Sequence, residues 1–185
     1  MTALSNTPGA LLKLIRDGTA TTRAELVDLT GLARSTVSQR VDSLLAGQLL
    51  VEAGEAPSSG GRPPTLLEFN RDAGVVLVAD LGATHSRLAV SNLMAEPLAS
   101  VAGDIPISEG PQRVLDWVEQ QWGGLLTQTG KLEQDVKGIG VGVPGPVEFA
   151  TGRAVLPPIM PGWDGFDVKT RLAAVSYTHL RAHET

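Results

Sequence analysis

The side chains able to do chemistry gather in a few short stretches. In the first, Arg34, Ser35, Thr36, Ser38, Gln39 and Arg40 follow one another with no acidic residue between them. A guanidinium pairs with guanine edges, a Gln amide with adenine, and Ser or Thr hydroxyls with base or phosphate. Such donors at the start of one helix suit the major groove of double-stranded DNA. A solvated helix face carrying small polar residues is the plainer alternative. The second stretch is Asp80-Leu81-Gly82-Ala83-Thr84. There a strand-end carboxylate, followed by Gly82 and Thr84 in a tight hairpin, could hold a phosphate or a metal-bound water, although Asp-x-Gly also marks ordinary turns. The third is Gly140-Val141-Gly142-Val143-Pro144-Gly145-Pro146-Val147. Alternate glycines leave one strand face bare for another backbone or a ligand. The rigid loop of Pro144 and Gly145 behind Gly142 suits either a ligand edge or a tight packing corner.

The elements around the first stretch are helical. A helix is expected from Pro8 to Asp17, with Leu11, Leu12, Leu14 and Ile15 on one face and Gly18 ending it. A second starts at a capping box, in which Thr22 bonds the amide three residues on and Glu25 reaches back. Thr22 is also placed among the candidate DNA contacts. After Thr30-Gly31-Leu32, a third helix begins near Arg34 and repeats Val37, Val41, Leu44 and Leu45. Two short helices joined by a Gly-containing turn describe a helix-turn-helix, whose second helix enters the groove by its N-terminal residues. Gln48 to Glu52 and Thr65 to Phe69 read as strands around a Gly/Pro-rich loop, a wing. Arg62, between Gly61 and Pro63, either enters a minor groove or is a soluble linker residue.

Composition sets the limits. The chain has 185 residues, 42% hydrophobic and 19% charged, which is globular rather than disordered. Its net charge of −5 excludes a uniformly basic coat but not a local DNA-binding face. With no cysteine, disulfides and thiolate zinc sites are excluded. No leader-like or membrane-spanning run is seen, so a soluble cytoplasmic protein without membrane contact is expected. The Gly/Pro/Ser-rich segment 57–64 separates the helical part, residues 1–70, from Val/Ala/Gly-rich runs over 74–173.

In that second part, Val75 to Ala79 and Val136 to Val143 are expected as strands buried on both faces. Arg87 to Val90 and Ala99 to Ile105 read as further strands. Val114, Leu115, Val118, Trp122, Leu125 and Leu126 mark a helix that Gly123-Gly124 weakens. Residues 174–185 fit neither part and read as a non-native, vector-derived tail. His179 and His183, four apart there, could pair on a metal but lack a carboxylate partner, and no metal or cofactor is expected.

These features together resemble the ROK family (repressors, open reading frames and sugar kinases). The resemblance is carried by the helix-turn-helix with its Gly60-Gly61-Arg62-Pro63-Pro64 wing, by the Asp80 hairpin and by the Gly140 to Val147 segment. Pro161-Gly162-Trp163-Asp164-Gly165 adds to it. It implies a winged helix-turn-helix, mainly α with a small β wing, followed by an α/β actin-like (ribonuclease H-like) lobe. It further implies a homo-oligomeric repressor of carbohydrate genes responding to a sugar or sugar phosphate. The family's kinases carry Gly-Gly-Thr where this chain has Gly82-Ala83-Thr84. Their Asn-Asp motif and their zinc site of His and clustered Cys have no counterpart, which suggests a C-terminally truncated chain without catalytic residues. A sugar kinase with an appended helical domain, or a DNA-binding module answering to a protein partner, are the other readings.

Overall fold

Leu11 and Ile15 lie one helical turn apart, as do Val37, Val41 and Leu44, so each set forms an apolar stripe needing a partner. The computed structural model describes residues 7–55, 63–148 and 150–177, and its contacts divide the chain into units 1–73 and 74–185. In the first unit the two stripes meet Ala20, Leu26, Leu50 and Leu67 in one core. Three helices supply it: α1 (Pro8–Arg16), α2 (Arg23–Thr30) and α3 (Arg34–Ala46). Thr7 caps α1 by accepting from the Ala10 amide, and Pro8 starts it. Gly31, at φ 68°, ends α2 in the left-handed conformation that glycine adopts without strain.

Antiparallel strands β1 (Leu50–Glu55) and β2 (Thr65–Phe69) complete the unit. The first begins two residues later than the sequence suggests. The amides of Gly47 and Leu49 still bond carbonyls of α3, and Gln48, at φ 58°, swings the chain out of the helix. The fold is a three-helix winged helix-turn-helix.

The second unit holds a four-stranded sheet in the order β5-β4-β3-β6. Its strands are β3 (Val75–Leu81), β4 (Ser86–Asn92), β5 (Pro97–Gly103) and β6 (Val136–Gly142). The first three form an antiparallel meander, whereas β6 runs parallel to β3 and therefore needs a crossover. Helix α4 (Pro111–Thr129) provides it, burying Val114, Leu115, Val118, Trp122, Leu125 and Leu126. Gly123 and Gly124 cost roughly 1 kcal/mol each against alanine, yet both face open space and the helix runs through them unbroken. Burial of Trp122, Leu125 and Leu126 on either side outweighs that cost.

The expectation that β3 and β6 are buried on both faces does not hold. Val75, Leu77, Ala79 and Leu81 are buried, while Val78 is 38% exposed and Asp80 is exposed. Strand β6 is nowhere fully buried. Among the described residues the core lies on one face of the sheet, against α4, Trp163 and Leu172. A continuous apolar run signals burial but cannot tell one covered face from two.

Beyond β6, a short hairpin of β7 (Val147–Glu148) and β8 (Arg153–Ala154) leads to α5 (Val168–Tyr177). This helix extends to Tyr177, into the stretch read as a tail; residues 178–185, with His179 and His183, lie outside the described residues. Trp163 is wholly buried, donates through Nε1 to the Ile107 carbonyl at 3.1 Å, and meets Phe166 edge-on. Arg171 clamps α5 to α4 by bonding Asp116 at 2.8 Å and Glu119. No helix among the described residues is long and apolar enough to cross a membrane.

Removing a wholly buried indole leaves a cavity and takes away one of the two donors to the Ile107 carbonyl, which keeps only the Gly110 amide at 3.3 Å. Trp163→Ala should therefore cost about 3–5 kcal/mol of stability in this unit. Urea unfolding read by the fluorescence of the remaining Trp117 and Trp122 checks it.

Candidate nucleic-acid interface

A recognition surface is only as well placed as the helix before it. Thr22 Oγ1 accepts from the Glu25 amide at 3.2 Å, and Glu25 Oε2 accepts in return from the Thr22 amide at 3.1 Å. The same Glu25 oxygen takes the Thr21 amide at 2.6 Å and the Thr21 hydroxyl at 3.1 Å. These donors, the Thr21 amide first, hold the Glu25 carboxyl below the ordinary glutamate range. Thr22 is 5% exposed and its hydroxyl is spent on this box, so it stands apart from the other candidate DNA contacts. The Thr21 carbonyl accepts from the Leu67 amide of β2 at 2.7 Å, which ties the wing to the start of α2.

Helix α3 buries Val37, Val41 and Leu44 against the core. Arg34, Ser35 and Gln39 are exposed, and Thr36, Ser38 and Arg40 are half-buried. No side chain caps the helix, since Ala33 occupies the capping position. Its first amides and partial positive charge are thereby left toward the end carrying Arg34 and Ser35. Arg62 lies outside the described residues. One pairing escaped sequence reasoning: Arg23 Nη2 donates to Asp42 Oδ1 at 2.5 Å, joining the first turn of α2 to α3. Residues 19 apart on two helices give no local signal of such a pair.

In the second unit, Asp80 and Gly142 are register partners at the C-terminal ends of parallel β3 and β6. A Cβ on Gly142 would stand 3.5 Å from Asp80 Oδ1. Gly82 donates its amide to the His85 carbonyl at 2.9 Å, and a Cβ there would meet that oxygen at 2.4 Å. Only glycine closes this hairpin. Thr84 is exposed on it, beside His85, whose Nδ1 lies 2.6 Å from Asp104. Asp80, Gly82, Thr84 and Gly142 thus cluster at one sheet end. Pro144 is half-buried, and Gly145 is wedged where a Cβ would meet Met160 and Pro157 at 2.9 Å. Gly145 is thus closely packed on that side. An apolar cleft of about 630 Å³, lined by Ile139, Val141, Trp163, Val168 and Leu172, was not legible in the sequence.

No family model matches the chain. It is 31% identical over 152 residues to the xylose repressor of Caldicellulosiruptor bescii, covering 80% of this chain and 37% of that one. The Bacillus subtilis xylose repressor is also 31% identical, over 138 residues, with 75% and 36% covered. A solved ROK family transcriptional regulator, a homolog of E. coli MLC, superposes with a TM-score of 0.71 at 20% identity. That superposition covers 91% of this chain and 42% of the other. The chain belongs to the ROK family. It spans 37% of the length of the C. bescii repressor and matches the N-terminal portion of its ROK relatives.

The capping box makes a pH-dependent prediction for this ROK chain. A carboxyl depressed on folding adds stability that is fully present above its unfolded pKa and is lost as pH falls through its folded value. Glu25→Gln should therefore lower the far-UV melting temperature at neutral pH, and the gap from wild type should close in acid below the ordinary glutamate pKa. Thr22→Ala, which removes the other half of the box, should cost about 0.5–2 kcal/mol.

Proposed function

We propose that this chain is the DNA-binding and first effector-lobe part of a ROK repressor of carbohydrate genes, acting in the cytoplasm. Residues 1–70 bind double-stranded DNA, and residues 74–173 belong to the lobe that senses a sugar or sugar phosphate. The observation that carries this reading is α3: its buried stripe faces the core, while Arg34, Ser35 and Gln39 stand exposed at an uncapped N-terminus. The xylose repressor relatives support the same reading, since their similarity runs through most of the chain.

The mechanism follows from the elements. The capping box fixes α2, α2 and α1 fix α3, and α3 offers Arg34 and Gln39 to base edges while Ser35, Thr36, Ser38 and Arg40 reach base or phosphate. One recognition helix reads too few base pairs for a genomic operator, so the repressor binds as a homo-oligomer on paired half-sites. In the second unit, Asp80, Gly82, Thr84 and Gly142 line the effector edge, at the C-terminal ends of parallel strands where ligands of α/β sheets bind.

Arg34→Ala or Gln39→Ala should cost about 1–3 kcal/mol on the cognate operator and clearly less on random DNA. Titrations on an operator selected from a random library check this. Equal losses on both would move these residues to the phosphate-contacting class.

Phosphoryl transfer is the rival activity. It depends on close positioning of the phosphates and on charge stabilisation, and Ala83 adds a methyl group where the family's kinases carry glycine. An ATP-coupled assay with a panel of hexoses and amino sugars should read background. Sugar-dependent turnover that Asp80→Ala abolishes would show a kinase instead.

A further inference from the structure

Asp42 is the acid that the polar run of α3 finally meets, and its position matters more than its number in the chain. Seven residues from Ser35 amount to about 20° short of two full helical turns. Asp42 therefore continues the face that carries Ser35, Ser38 and Gln39. A carboxylate on a face turned to DNA is repelled by the phosphates flanking the groove. Its partner, Arg23, is the first residue of α2, the helix of a helix-turn-helix that crosses the DNA backbone.

The side chains of Arg23 and Asp42 are 32% and 63% exposed. Pairs this accessible contribute little to stability. Their contact is then a poor reason for the fold and a good way to occupy a cation. We propose that Arg23 is a phosphate ligand which Asp42 holds in the free protein, so that Asp42 lowers DNA affinity and flattens its salt dependence. On DNA a phosphate competes for the guanidinium, and the carboxylate left beside it opposes the exchange. This proposal rests on the DNA-binding reading of α3.

Phosphate contacts are independent of sequence, so the test needs only a random-sequence duplex and the full chain. Affinities of wild type, Asp42→Asn, Arg23→Ala and the double variant are measured across a salt series. Asp42→Asn keeps the side chain's shape and removes its charge. It should bind about 3–10-fold tighter, with a log–log salt slope steeper by about 0.9 for each bound chain. Arg23→Ala should bind more weakly, with a shallower slope. Asp42→Asn made on the Arg23→Ala background should leave the slope where Arg23→Ala put it, because the freed cation is gone. Melting temperatures of all four should agree within the small range of an exposed pair.

An Asp42→Asn variant that binds no tighter, with the wild-type slope, overturns the proposal while the DNA reading stands. Weaker binding by Asp42→Asn with a lowered melting temperature also overturns it, by making the pair a structural tie. Failure of the wild type to bind any duplex at low salt overturns the DNA reading and this proposal together.

Discussion

At the mouth of α2, one carboxylate holds a turn together. Glu25 Oε2 accepts the amides of Thr21 and Thr22 and the Thr21 hydroxyl, while Thr22 Oγ1 accepts the Glu25 amide. On the other side of the same peptide, the Thr21 carbonyl receives the Leu67 amide of the wing. The start of α2, the chain entering it and strand β2 are thus fixed by neighbouring atoms. Helix α3 has no cap of its own, so its pose depends on what α2 and the core impose. Leu26, beneath the box, and Val37 and Val41, on α3, share the core with Leu67. The exposed face of α3, the wing and the hydrophobic core therefore answer to one local constraint.

The second unit is organised by a different requirement. Parallel pairing of β3 with β6 demands a crossover, and α4 makes it over the face that carries Leu77, Ala79, Leu88 and Val90. The consequence is geometric. Strand ends separated in sequence by the whole crossover, Asp80 and Gly142, become register partners. Trp163 secures the far side by bonding the Ile107 carbonyl just ahead of α4, and Arg171 closes α5 on Asp116 and Glu119. Gly145 packs closely against Pro157 and Met160, which leaves no room for a side chain at that point of the Pro-Gly-Pro loop.

Charge is distributed with economy in the first unit. The polar run of α3 keeps acids out of its first two turns, and the first acid after it is met by Arg23. Lys13 and Arg16 in turn share Asp17 at the end of α1, which holds that carboxyl below its ordinary range, Lys13 contributing first. A net charge of −5 is a sum over the whole chain and leaves room for an exposed cation such as Arg34 on one helix.

What the sequence determined by itself is what depends on neighbours along the chain. The capping box needs Thr22 and Glu25 three apart, the helix-turn-helix needs Gly31 between two apolar periodicities, and α4 needs its buried residues at helical spacing. All of these were legible, as was the family from its glycine and proline segments. Tertiary structure alone decided the rest. The count of covered faces on β3 and β6 depends on which other elements pack there, and a strand's own residues carry no record of that. Gly82 and Gly145 look alike as loop glycines, yet one closes a hairpin on His85 and the other fills a corner made by Pro157 and Met160. Arg23 with Asp42, and Thr21 with Leu67, are contacts between residues far apart in the chain. Their partners are set by how helices and strands pack, a long-range outcome that no local pattern encodes.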